Sequence, residues 1–357
     1  MNASGVAVSR SGGRGGPVLL AGVGTALPGE PVDNAALSRL LGIAPEWMET
    51  FIGTRTRHFA LDLDGGTVRW TLEDLCTDAA DRALADAGAD PDDVAFIVLA
   101  TATPDALMPT TAALVADRLG IDGVPVYQLQ SGCSGAVQAM ALASSLLAGG
   151  ARGPKPVGLV IGGDVCSKHL DLRQDFREMP PSQLVNYVLF GDGAGAVALS
   201  RAPGSARAVL SRADHRLSGL GSAPGQRVEW FGQADRHSGR PAVTEDYKAV
   251  EARVPVMAQE MLDTLLDTLG WPAESVGHVL PPQLSGRMTE RITRGLRQGL
   301  EWEEVSCVAE TGNNGNALVF LQLERLLPRL AAGGRAVGIA IESSKWIKSG
   351  FAVEATG

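Results

Sequence analysis

From Ala136 to Ala148 the chain runs apolar on nearly every face of a helix, with no polar stripe to turn toward water. Such a helix is stable only where other elements cover it on all sides, in the middle of a large domain. The chain has 357 residues, enough for one large domain or two packed ones. The segments on either side, Val124–Leu129 and Val157–Gly163, have the apolar and β-branched content of buried strands. Strands alternating with helices predict an α/β architecture with covered sheets.

The same alternation runs along the rest of the chain. The first half reads as a strand at Val18–Val23, helices at Asn34–Leu41, Pro45–Phe51 and Trp70–Ala87, and a strand at Val94–Ala100. A helix at Leu114–Leu119 and a strand at Ala196–Leu199 complete it. After a loop-rich stretch, Ser211–Thr244, come a helix at Ala249–Leu269, a strand at His278–Pro281 and a helix at Arg287–Leu300. A strand at Val305–Ala309, a helix at Ala317–Leu327 and strands at Ala336–Ile341 and Phe351–Ala355 follow. Two similar halves, 17–203 and 204–357, are therefore expected, with Cys133 and Asn313 at equivalent helix starts. Residues 1–16 are rich in Gly, Ser and Ala and read as a disordered tail without the apolar centre of a secretory signal.

Charge and cysteine content limit the function classes. A formal charge of −9 argues against a nucleic-acid surface, and no apolar run is long enough to span a bilayer. An acidic carrier protein would need a local basic patch, for which Arg55–Arg57 and Arg287–Arg297 are the candidates. Cys76, Cys133, Cys166 and Cys307 are too few and too scattered for a disulfide framework or a zinc site. A cytoplasmic protein with free thiols and no metal is the expectation.

Cys133 is the thiol whose setting suggests chemistry. It stands between a strand and the apolar helix, in the turn Gly132-Cys133-Ser134-Gly135, where glycines allow a tight backbone that displays a side chain. A helix start is expected to lower the thiol pKa, and its first amides to hold an oxyanion. Cys76, Cys166 and Cys307 lack this context and read as packing residues.

Four segments now resemble one family. Gln130–Ala136 is similar to the active-site cysteine turn of ketoacyl-acyl-carrier-protein synthase III, and Leu159–Val165 and Phe190–Ala196 are similar to two further signatures. Glu310-Thr311-Gly312-Asn313 resembles the segment that carries the family's catalytic asparagine. The resemblance runs from about Val18 to the C-terminus. It implies a thiolase fold, α/β, with two βαβαβ-type halves packed as five layers, α-β-α-β-α. It also implies a homodimer, acylation of Cys133 from an acyl-carrier-protein or CoA thioester, and a role for Asn313 in binding the thioester carbonyl. No cofactor is implied beyond the thioester substrate itself. Trp47 and Phe51 match positions at the family's thioester entrance, and Met108 the residue that reaches into the partner's acyl pocket.

Two departures stand out. The family's catalytic histidine falls at Pro282, in Pro281-Pro282-Gln283-Leu284-Ser285, and proline offers no donor. Loss of that donor for an enolate costs roughly 3 kcal/mol, which disfavours decarboxylative condensation. His237, in the loop before the second half's first helix, is a candidate substitute; His278 lies toward the far end of the strand that leads to Pro282. The family's glycine run is here Glu342-Ser343-Ser344-Lys345-Trp346, leaving the Ser344 amide as the second oxyanion donor, with Glu342 and Lys345 as candidate substrate contacts. The leading expectation is an acyltransferase of specialised metabolism, moving an acyl group through Cys133 to an alcohol or amine on a small molecule. A carbon–carbon condensing enzyme and a catalytically silent partner subunit remain the alternatives.

Overall fold

A computed structural model of the chain describes residues 16–151, 156–170, 172, 175, 176, 179, 181–202, 206–230, 235, 238–297 and 299–356. In chain order the strands are β1 Leu19–Ala26, β2 Val32–Asp33, β3 Thr56–Arg57, β4 Val94–Thr101, β5 Val126–Gln130, β6 Val157–Asp164 and β7 Gly193–Ser200. They continue with β8 Ala208–Leu217, β9 Gln226–Val228, β10 Val243–Glu245, β11 His278–Leu280, β12 Glu303–Glu304, β13 Arg335–Glu342 and β14 Ile347–Ala355. The helices of the first half are α1 Asn34–Leu41, α2 Pro45–Phe51, α3 Leu72–Ala87, α4 Thr111–Arg118, α5 Gly135–Ala148 and α6 Pro181–Leu189. Those of the second are α7 Tyr247–Leu269, α8 Gly286–Arg297, α9 Val308–Thr311 and α10 Leu318–Leu326.

The ladders form ten strands in the order β12-β11-β13-β14-β8-β1-β7-β6-β4-β5. Reading outward from the centre, each half has the same plan. β1 pairs antiparallel with β7, β7 antiparallel with β6, and β6 and β4 run parallel to β4 and β5. Correspondingly, β8 pairs antiparallel with β14, β14 antiparallel with β13, and β13 and β11 run parallel to β11 and β12. The halves meet at a short seam, Leu19 opposite Val209 and Leu20 opposite Ala208.

Three cores separate the layers. Leu72, Leu75, Ala79 and Val115 of α3 and α4 cover one face of the first sheet half. Met257, Met261, Leu265 and Ile292 of α7 and α8 cover one face of the second. Between them lie α5 and α10, where Val137, Met140, Val319, Phe320 and Leu323 pack with residues of both sheet halves. The apolar run thus sits in the middle layer of five, which is where a helix without a polar face belongs. This is the thiolase fold.

Local signals explain several boundaries. Asp33 caps α1 by accepting from the Ala36 amide at 2.7 Å, and Gly42 ends the helix at φ 68°. Two expectations fail. The stretch read as loop from Ser211 contains most of β8, whose partner β14 runs from Ile347 opposite Leu217 to Ala355 opposite Ala208. Val305–Ala309 is not a strand: Gln283 Oε1 accepts from the Cys307 and Val308 amides at 2.9 and 2.8 Å, and the chain turns into α9. Cys307 is therefore a helix cap rather than a strand residue. Residues 1–15 and His237 lie outside the described residues.

Candidate active site

Cys133 lies in the turn between β5 and α5, and Asn313 precedes the one-turn helix Gly315–Ala317 that leads into α10. Both face one small cavity of about 50 Å³, together with Pro282 and Ser343. The Asn313 Oδ1 accepts from the Gly315 amide at 3.1 Å, while its buried Nδ2 has no partner. A buried amide donor left free is costly unless something arrives to use it. Cys133 also opens onto a larger cavity of about 550 Å³, bordered by Thr103, Cys166, Leu170, Tyr187, Phe190 and the loop Gly239–Val243. Cys166, read from sequence as a packing residue, in fact borders that cavity. The loop region before α7 shapes it.

The first amides of α5 do not await an oxyanion. The Ser134 amide donates to Glu342 Oε2 at 3.4 Å, Gly135 to the Gly132 carbonyl at 2.8 Å and Ala136 to Asn316 Oδ1 at 3.0 Å. Glu342 comes from the end of β13 in the other half. A Cβ at Gly132 would lie 2.5 Å from both of its carboxylate oxygens, so glycine there is what admits Glu342. Ser344 also donates to this carboxylate through its backbone and side chain, so its amide is turned toward Glu342, and it is Ser343 that borders the cavity. Lys345 is exposed and donates to the Ser222 carbonyl at 2.7 Å.

These contacts overturn the expected acidity. Burial and then the neighbouring Glu342 carboxylate raise the Cys133 thiol well above its ordinary value, with Asp164 and Glu245 adding to the rise. Helix-end stabilisation loses here because the charge held against that helix end is already a carboxylate. Burial likewise raises Glu342, against hydrogen bonds from Ser344 and Ser134 that lower it.

A second network ties the halves behind the turn. Asn316 Nδ2 donates to the Ser131 carbonyl and to Asp164 Oδ2, each at 2.9 Å. Asp164 also accepts from the Asn316 amide, Thr101, Ala102 and Thr103. It is nonetheless held above the usual carboxylate range by burial.

Trp47 and Phe51 stack on α2 with ring centroids 5.5 Å apart and line a groove of about 790 Å³ with Lys248, Arg287 and Arg291. The groove and the Cys133 cavity share one residue of opposite character, Glu245. Both its carboxylate oxygens are buried without a partner, and burial alone pushes it up to about 7. Sequence reasoning missed Glu245, since a glutamate at a strand end reads as solvent-facing. Of the expected basic patch, Arg287, Arg291 and Arg294 are exposed on α8. Arg57 is instead fully buried, donating to the Val188 carbonyl at 2.9 Å and to Asn34 Oδ1 at 2.7 Å. Met108 is 86% exposed and lines none of these cavities within the single chain, and His278 faces Glu303 at 3.5 Å.

A cysteine at one helix start and an asparagine with an unpartnered amide at its counterpart, lining one cavity, fit an enzyme of the thiolase fold. The family model for 3-oxoacyl-[acyl-carrier-protein (ACP)] synthase III matches residues 127–214. The β-ketoacyl-[acyl-carrier-protein] synthase III of Neisseria gonorrhoeae is 31% identical over 309 residues, covering 85% of this chain and 88% of the relative. That of Pseudomonas aeruginosa is 31% identical, covering 93% and 92%. The chain belongs to the 3-oxoacyl-[acyl-carrier-protein] synthase III family. Among solved structures, a protein described as "AbyA1 - tetronic acid condensing enzyme" is 57% identical with a TM-score of 0.90, covering 94% of this chain and 99% of its own. The synthase III from Pseudomonas aeruginosa PAO1 is 27% identical with a TM-score of 0.79, covering 96% and 99%.

Proposed function

We propose that the protein is an acyltransferase that joins two thioester-borne units into an oxygen heterocycle of the tetronic acid type. Cys133 takes a 3-oxoacyl group from a carrier-protein or CoA thioester, releasing the carrier thiol. The hydroxyl of a 2-hydroxyacyl thioester then attacks that acyl group, forming a C–O bond and breaking the C–S bond to Cys133. The carbon between the two carbonyls of the new ester attacks the hydroxyacyl thioester, closing a five-membered lactone and releasing the second thiol. One C–C and one C–O bond form, and no carbon dioxide is lost.

The observation that carries this reading is the cavity shared by Cys133, the free Asn313 amide and Pro282. A carbon flanked by two carbonyls loses its proton to an ordinary base, so the histidine donor used to stabilise a decarboxylation enolate is dispensable. The 57% identity to a tetronic acid condensing enzyme supports the product class. The 550 Å³ cavity is of a size to hold the acyl group, within the ordinary range for small-molecule sites of about 300–1,000 Å³. Asn313 holds the thioester carbonyl in this scheme, and the groove of Trp47, Phe51 and Arg287 admits the thioester arm. A second copy covers the edge strand β5 and the exposed Leu107 and Met108, at 64% and 86% exposure, as a homodimer.

The test is intact-protein mass spectrometry with a 3-oxoacyl pantetheine thioester. The expected adduct is absent in Cys133→Ala and is discharged by a 2-hydroxyacyl pantetheine thioester to give the lactone. No adduct on the wild-type protein overturns the reading, as does carbon dioxide release from a malonyl thioester with condensation.

A further inference from the structure

Glu245 ends β10, paired opposite Gln226 of β9, just before α7 begins. It borders both the groove of Trp47 and Phe51 and the cavity of Cys133, Asn313 and Pro282. Its two oxygens are enclosed yet accept no hydrogen bond. A buried carboxylate in that condition is destabilised unless a visiting donor completes it. The arginines around it are engaged elsewhere: Arg287 with Glu290 at 3.2 Å, Arg291 with Glu251 at 2.7 Å and Arg227 with Glu229 at 3.7 Å. Arg240 pairs with Asp235 at 3.3 Å. Asp246, Tyr247 and Lys248 follow Glu245 in the chain, and the Cys133 thiol senses its charge.

We propose that Glu245 is the general base of the transfer step, taking the acceptor's proton as that acceptor attacks the acyl group on Cys133. The proposal rests on the acyl-transfer reading above. In the step, the acceptor O–H proton moves to Glu245, the new C–O bond forms and the C–S bond to Cys133 breaks. The departing sulfur then takes the proton from Glu245, returning both groups to their starting state. The raised thiol makes that return favourable, because a strongly basic thiolate recovers its proton. Glu245 reaches the cavity from the β9–β10 hairpin, so a base is kept there although the family's histidine position, Pro282, holds none. With burial holding it near about 7, the carboxylate is matched to a proton transfer at neutral pH.

Single-turnover kinetics separate this role from mere binding. Glu245→Gln keeps an oxygen acceptor for an amide of the thioester arm but cannot take a proton. Its discharge is read on protein already acylated at Cys133, and circular dichroism against wild type reports an intact fold. Discharge to the hydroxyacyl acceptor should slow by about 10²- to 10⁴-fold, the usual contribution of a general base. The wild-type discharge rate should rise with pH through about 7, and the glutamine variant should lose that step. Glu245→Asp, one methylene shorter, should keep the pH step at a reduced rate. Discharge by pre-acylated Glu245→Gln at the wild-type rate overturns the proposal. A flat profile in Glu245→Asp overturns it too, which covers the case in which the glutamine variant does not fold. If the wild-type protein takes no acyl group, the acyl-transfer reading itself fails; if it transfers and Glu245→Gln transfers equally, only the base assignment falls.

Discussion

Asn316→Ala tests whether the two halves are held together at the nucleophile turn. The side chain is fully buried and makes three hydrogen bonds: from the Ala136 amide at 3.0 Å, and to the Ser131 carbonyl and Asp164 Oδ2 at 2.9 Å each. The two neutral bonds are worth about 1 kcal/mol each and the bond to the carboxylate about 1.5–3 kcal/mol, so truncation costs about 3.5–5 kcal/mol. Unfolding entropy of about 2.1 cal/mol/K per residue gives about 0.75 kcal/mol/K for this chain, so Tm should fall by about 5–7 °C. Calorimetry at one scan rate measures it, alongside Asp164→Asn and the double variant. Because the two side chains share a bond, the cycle should show coupling of about 1 kcal/mol or more. Alkylation of Cys133 should change as well, since the Ser131 carbonyl and Ala136 amide bracket it. A Tm loss below about 2 °C, or strict additivity with Asp164→Asn, would refute the reasoning.

Glu342→Gln removes the carboxylate that is the largest electrostatic cause of the raised Cys133 thiol, so the pH profile of iodoacetamide alkylation should move to lower pH; an unmoved profile contradicts the assignment. Gly132→Ala would set a methyl 2.5 Å from both Glu342 oxygens, driving the carboxylate out; the alkylation profile should shift in the same direction and the acyl adduct should weaken. Asp192 is held up to about 6 by burial against an ordinary 3.8, so the folded state keeps its proton to higher pH than the unfolded chain. Its contribution is therefore greatest below about pH 4 and is lost as pH rises to about 6, by up to about 3 kcal/mol. The difference in urea midpoint between the wild-type protein and Asp192→Asn should track that window, and a difference independent of pH counts against it.

Much of the fold was readable because its signals are local. The expected bounds of α1 and α2 match the structure, where Asp33 and Gly42 cap the one and Pro45 opens the other. The all-apolar α5 announced the middle layer. What escaped has tertiary causes. β8 reads as loop because Arg212, Asp214 and Arg216 interrupt its alternation, and these charges answer one another at 2.9 and 3.3 Å only once the strand is formed. The expected strand at Val305–Ala309 ends early because the Gln283 side chain, remote in sequence, takes its amides. At the site, Cys133, Asn313 and Pro282 were legible as a set and do face one cavity. The lowered thiol acidity was not, because the position of Glu342 depends on the other half. Glu245 carries no local signal at all: enclosure by α7, α8 and a hairpin makes it unusual, and composition does not record enclosure.

The clamp of Glu342 on the Ser134 amide spans 208 positions of sequence. At about 5–20 residues per second, a ribosome delivers the cysteine turn some 10–40 s before the carboxylate that seats it. Throughout that interval the cysteine turn lacks its Glu342 contact and the site is unfinished. The Ser134 clamp is thus a late contact in the life of each chain, timed by the emergence of β13.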